Sequence, residues 1–135
     1  MTRQVPAPPA RVFEAWTTPD QMKAWACPEG ATVEAVEVDL RVGGAWEIRM
    51  QAGEERYTAH GTYRAVEPPA RLVYTWDWRE AGREVGETVV TVEFRAVAEG
   101  TEVVVVHTGF PSAESCAGHR IGWDSCLDRF GRLFS

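Results

Sequence analysis

Val36-Glu37-Val38-Asp39-Leu40-Arg41-Val42-Gly43-Gly44-Ala45-Trp46-Glu47-Ile48-Arg49-Met50 decides how this chain folds. Val36, Val38 and Leu40 alternate with Glu37 and Asp39, and Trp46, Ile48 and Met50 alternate with Glu47 and Arg49. In an extended chain a period of two sends one set of side chains to one face and the other set to the opposite face. Gly43-Gly44 between the two runs has the backbone freedom of a two-residue turn, so the spacing predicts a hairpin. One face is apolar and the other charged, which is the pattern of an antiparallel sheet with a core on one side and water on the other.

The same period continues downstream. Tyr57 to Val66 is closed by Pro68-Pro69, and Leu72, Tyr74, Trp76 and Trp78 then alternate with Thr75 and Asp77. A polar loop from Gly82 to Gly86 precedes Val90, Val92 and Phe94, which alternate with Thr91 and Glu93. Ala98-Glu99-Gly100 turns the chain into the β-branched run Thr101 to Thr108. With a short extended piece at Thr2 to Val5, this predicts a curved antiparallel sheet of six to seven strands.

Helical period brackets the sheet. Pro8-Pro9 suits a first helical turn, where the missing N–H has no partner to lose, and Val12, Phe13 and Trp16 follow on one face. Thr18-Pro19-Asp20-Gln21 has the spacing of a capping box and starts a second short helix carrying Met22 and Trp25, stopped before Pro28. After Ser112, a plausible N-cap, the residues His119, Trp123, Leu127, Phe130 and Phe134 form one mostly apolar stripe, with Asp124, Asp128, Arg129 and Arg132 on solvated faces. Gly118 and Gly122 interrupt that helix at a cost of about 1 kcal/mol each relative to alanine, so either something approaches their backbone or room is being left. The class is therefore α+β. A twisted sheet cannot lie flush along one straight helix, so the two surfaces part at one end.

Size and charge bound the function. The 135 residues are 44% hydrophobic and 25% charged, the make-up of a single domain spanning 1–135 with its own core. A net charge of −6 argues against nucleic acid and against an electrostatic membrane anchor. No apolar run reaches the roughly 18 residues of a spanning helix, and no signal-peptide pattern opens the chain. Cys27, Cys116 and Cys126 are an odd number without C-x-x-C spacing, which favours free thiols in the cytoplasm over a disulfide framework.

Several strings carry a resemblance. They are Pro9-Ala10-Arg11-Val12-Phe13-Glu14-Ala15-Trp16 with Thr18-Pro19, then Asp39-Leu40-Arg41-Val42-Gly43-Gly44, then Gly61-Thr62-Tyr63-Arg64 with Pro68-Pro69-Ala70-Arg71-Leu72-Val73-Tyr74-Thr75-Trp76. The last is His107-Thr108-Gly109-Phe110 with His119, Gly122-Trp123 and Leu127-Asp128. In this order they resemble the helix-grip proteins of the SRPBCC (START/Bet v 1-like) superfamily, and within it the activator of heat-shock protein 90 ATPase homologue-like family. The resemblance implies a sheet gripping a long C-terminal helix, with two short helices after the first strand. It also implies a cavity between sheet and helix for an apolar small molecule, no shared catalytic set and no obligatory cofactor. Where that family often has Trp-Trp-Gly-Pro, this chain has Trp25-Ala26-Cys27-Pro28, which makes one wall of the cavity mouth smaller. Family habit and the short first strand suggest a homodimer.

The candidate cavity residues are Trp46, Ile48, Met50, Tyr63, Tyr74, Trp76 and Val92 on strands, and His107, Phe110, His119, Trp123 and Leu127 at the last strand and helix. Large aromatics serve equally as plain core or as pocket walls. His107 and His119 are either general bases facing the cavity or hydrogen-bonded core histidines, while His60 points to the other side of its strand. Three histidines on three separate elements make no metal signature, and no nucleophile motif is present. Three functions follow: a non-catalytic binder of a lipid-like or aromatic molecule, an aromatase/cyclase-like enzyme moving protons with His107, His119, Tyr63 or Tyr74, or a module that grips a chaperone or other partner.

Overall fold

The computed structural model describes residues 1–134. Strand β1 (Thr2–Val5) leads into α1 (Pro9–Thr17) and α2 (Pro19–Met22), followed by β2 (Thr32–Val38), β3 (Ala45–Ala52), β4 (Glu55–Glu67), β5 (Arg71–Trp78), β6 (Thr88–Val97), β7 (Gly100–Thr108) and α3 (Ala113–Arg132). The seven strands form one antiparallel sheet in the order β1-β7-β6-β5-β4-β3-β2, so the meander is closed at one edge by the first strand. Register shifts between Val33 and Ala35 in β2 and between Tyr63 and Ala65 in β4 add local bend and twist, and the sheet curls into a half-barrel around the helices. This is the helix-grip arrangement.

The β2–β3 connection corrects the expected turn. β2 ends at Val38 and β3 starts at Ala45, so the reversal is a six-residue loop, Asp39 to Gly44, and not a two-residue hairpin. Arg41 N–H donates to the Asp39 carbonyl at 2.8 Å and Gly44 N–H to the Arg41 carbonyl at 2.8 Å, a local hydrogen-bonded coil that takes Leu40 out of the strand and leaves it exposed. Gly43 holds the positive φ (82°), and a Cβ on Gly44 would lie 2.0 Å from the Asp39 carbonyl oxygen, so both glycines are required, though for a different turn.

At the helix starts the expected caps are in place, with one difference. Ser112 Oγ accepts from Ser115 N–H at 3.0 Å, capping α3. Thr18 stands at the N-cap of α2, but its side chain makes no capping hydrogen bond.

The core is densest where the short helices meet the sheet and the far end of α3. Phe13 meets Phe94 of β6 edge-on at 5.4 Å, and Phe130 meets both Trp16 (5.1 Å) and Trp25 (4.9 Å). Leu127 and Phe130 are the buried residues of α3, and each such side chain stabilises the fold by about 1.5–3 kcal/mol. Both lie in its C-terminal half. Arg129, expected on a solvated face, instead clamps this half to the loop after α2. Its Nη1 donates to the carbonyls of Cys27 (2.9 Å) and Pro28 (3.3 Å), and Ser125 Oγ accepts from Glu29 N–H at 2.8 Å. The N-terminal half of α3 has no buried residue and stands away from the sheet.

Candidate functional site

Where α3 parts from the sheet there is a cavity of about 430 Å³. Strand alternation supplies its floor: Trp46, Ile48 and Met50 from β3, Ala59 and Tyr63 from β4, and Tyr74, Trp76 and Trp78 from β5. Trp16, Met22 and Trp25 close one side, with Ala26 and Pro28 beyond them. Residues at three- and four-residue spacing on α3 form the roof: Ser115, Gly118, His119, Gly122, Trp123 and Cys126. A Cβ on Gly118 would meet nothing within 4 Å, and one on Gly122 would meet only Pro28 Cγ at 3.8 Å. Of the two roles open to these glycines, leaving room is the one the structure displays. None of the lining residues is Asp, Glu, Lys or Arg.

The indole N–H groups show how the walls are held. Trp16 donates to Tyr74 Oη at 3.3 Å, Trp25 to the Ala15 carbonyl at 2.9 Å and Trp46 to the Thr75 carbonyl at 3.1 Å. Trp78 donates to His119 Nε2 at 3.1 Å, and Trp123 to His107 Nδ1 at 2.9 Å. The Trp46 bond crosses Gly61, its partner in the β3–β4 register; a Cβ there would sit 1.9 Å from the Thr75 carbonyl oxygen. Gly61 is thus a close-approach glycine.

Hydrogen bonds fix the orientation and tautomer of both histidines near the cavity. His119 Nδ1 lies 2.7 Å from the Ser115 carbonyl, which can only accept, so Nδ1 carries the proton and Nε2 receives the Trp78 N–H. His107 has the opposite tautomer: Nδ1 receives from Trp123, so Nε2 donates to Thr88 Oγ1 at 2.7 Å, and that hydroxyl donates to the Trp76 carbonyl at 2.5 Å. Burial, with a smaller contribution from His119, pushes the His107 pKa down to about 4. Burial likewise raises the phenols of Tyr63 and Tyr74 and pushes the Cys126 thiol up to about 12, so these groups stay protonated at neutral pH.

The structure brings together Trp46, Ile48, Met50, Tyr63, Tyr74, Trp76, His119 and Trp123 of the expected set. Four expected residues are not on the wall. Val92 (0% exposed) and Leu127 (1%) are sealed in the packed half of the core. His107 lies behind Trp76 and Trp123, and Phe110 packs over its ring at 4.3 Å and over His119 at 4.6 Å, so this pair closes the rim from outside. His60 stands on the other face of the sheet, opposite Glu47 and Asp77, and the exposed Arg120 does not line the cavity. Sequence reasoning missed Trp78, whose alternation with Asp77 was a usable signal, and Trp16, Met22 and Trp25, whose apolar helix faces gave no direction in space. Cys27 is buried away from the cavity against Arg129, 3.0 Å from Nη1. Among the described residues no group of three or more His, Cys, Asp or Glu is placed to hold a metal, and no helix is long and apolar enough to cross a membrane.

The family model described as "Activator of Hsp90 ATPase homolog 1-like protein" matches residues 6–135. The chain belongs to this family. Solved structures similar to this Activator of Hsp90 ATPase homolog 1-like chain include a Chromobacterium violaceum protein, 28% identical with a TM-score of 0.87 over 99% of this chain and 94% of that one. An AHSA1 protein from Silicibacter pomeroyi is 26% identical with a TM-score of 0.87, over 98% of this chain and 94% of its own. An AHSA1-like protein from Aeromonas hydrophila is 28% identical with a TM-score of 0.84, over 98% and 88%. No curated protein matches the chain.

Proposed function

We propose that this protein binds an apolar small molecule, lipid-like or aromatic, in the cavity between sheet and α3, and that it does so without chemistry of its own. One observation carries the reading. A well-packed core leaves few voids larger than a water molecule, yet Gly118 and Gly122 hold open a space of about 430 Å³ ringed by aromatic side chains. Ligand sites have this size and this apolar make-up with few polar groups. The absence of catalysis is supported by the histidines: both nitrogens of His107 and both of His119 are engaged within the protein, leaving neither ring a lone pair for a substrate. The three unpaired cysteines support a reducing compartment, and we place the protein in the cytoplasm.

Native mass spectrometry of the purified protein, followed by solvent extraction and rebinding, tests the proposal. The expected result is a retained apolar mass that extraction removes and titration restores. Repeated failure to find or titrate any apolar ligand overturns it. Loss of a reaction rate in His119→Ala, with the fold intact, would instead favour an aromatase/cyclase-like enzyme.

A further inference from the structure

The cavity has a polar identity as well as an apolar one, and it is that of a donor. Tyr63 and Tyr74 face each other across the β4–β5 register, with ring centroids 5.9 Å apart. Tyr74 Oη receives the N–H of Trp16, which occupies an acceptor site and leaves its own proton to point elsewhere. No described residue accepts that proton, and none is hydrogen-bonded to the Tyr63 hydroxyl. Tyr63 is 4% exposed, yet no fully buried side-chain nitrogen or oxygen is orphaned among the described residues. Its hydroxyl is therefore not sealed by protein, and Tyr63 is one of the residues that line the cavity. Trp76, also on the lining, is the single indole among the six whose N–H no described residue accepts.

The lining holds no carboxylate, ammonium or guanidinium, so a charged ligand would be buried without a counter-ion. Its walls are largely ring faces and edges, which gain from offset or edge-on contact with another ring. On the side of α3, the His119 nitrogens are both engaged, and Ser115 alone offers a hydroxyl of either role. We propose that the cavity is selective for uncharged, flat aromatic molecules carrying a carbonyl or equivalent acceptor, to which the hydroxyls of Tyr63 and Tyr74 donate. The inference rests on the cavity being a binding site, as proposed above. Burial keeps both phenols protonated, so they act as donors throughout the neutral range.

Two probes of nearly the same shape test it: fluorene, a three-ring hydrocarbon, and 9-fluorenone, which adds one carbonyl. Their binding to wild type, Tyr63→Phe and Tyr63→Phe/Tyr74→Phe is measured by equilibrium dialysis. The ratio of fluorenone to fluorene affinity is expected to fall about tenfold in the double variant, with the single variant between. An unchanged ratio overturns the inference and leaves apolar binding standing. Loss of fluorene binding in the variants also overturns it, because the hydroxyls would then be supporting the walls and not the carbonyl. Binding of neither probe to wild type overturns the binding-site reading itself, and the inference with it.

Discussion

The indole of Trp123 donates to Nδ1 of His107 across 2.9 Å, tying the middle of α3 to the last strand at the rim of the cavity. The half of the helix before Trp123 has no buried residue, so its position depends on such long side chains reaching from one element to the other. The direction of this one hydrogen bond also sets the chemistry of the imidazole. A proton on Nδ1 would place two N–H groups against each other, so His107 must be neutral for the contact to exist.

A pH dependence follows. The folded pKa of His107 is about 4, below the ordinary 6.5, so between these values the unfolded chain binds a proton that the folded chain does not. Stability from this group is complete above pH 6.5 and is lost as pH falls towards 4, on the order of 3 kcal/mol in all. The titratable group facing it is His119. Urea unfolding of wild type and His107→Gln from pH 7 to pH 4 should show the variant losing less stability across that window; parallel curves would contradict the assignment.

Gly118 has nothing within 4 Å of where a Cβ would be, and it sits in a helix. Gly118→Ala should therefore raise stability by about 1 kcal/mol, measured by denaturant midpoint. Gly118→Leu should fill the cavity, retaining the fold but abolishing the retained mass in native mass spectrometry. A destabilised Gly118→Ala would mean the roof is tighter than it stands here.

Gly61 is the opposite case. A methyl group there would lie 1.9 Å from the Thr75 carbonyl oxygen that Trp46 uses, so Gly61→Ala must spread β4 from β5 and break the indole bond. A loss of about 3 kcal/mol is expected, together with altered tryptophan emission. A variant as stable as wild type would refute the close approach.

The thiols should separate by access. Cys116 is exposed, Cys27 is buried with its thiol raised by desolvation, and Cys126 is pushed up to about 12. A disulfide reagent at pH 8 should modify Cys116 within minutes in the native protein, with Cys27 and Cys126 reacting only on unfolding. Rapid modification of Cys126 would show that the cavity admits the reagent and that burial does not hold the thiol in its protonated form.

What the sequence determined by itself was the local geometry. Alternation of Trp46, Ile48 and Met50 with Glu47 and Arg49, and of Tyr74, Trp76 and Trp78 with Thr75 and Asp77, settles strand and face together, because a period of two is a property of the backbone. Helical spacing likewise placed His119 and Trp123 on the stripe of α3 that faces inward. Turn type was less legible: Gly43-Gly44 suits both a two-residue hairpin and the six-residue loop that forms, and only the carbonyls of Asp39 and Arg41 decide between them. The tertiary structure alone decided which inward residues meet packing atoms and which meet space. Val92 and Leu127 have the same apolar patterning as Ile48 and Trp123, yet a curved sheet under a straight helix closes over one pair and opens beside the other. It also decided the roles of the polar groups, since whether His107 is a base or a bonded strut depends on Trp123 and Thr88, which are 16 and 19 residues away in the chain.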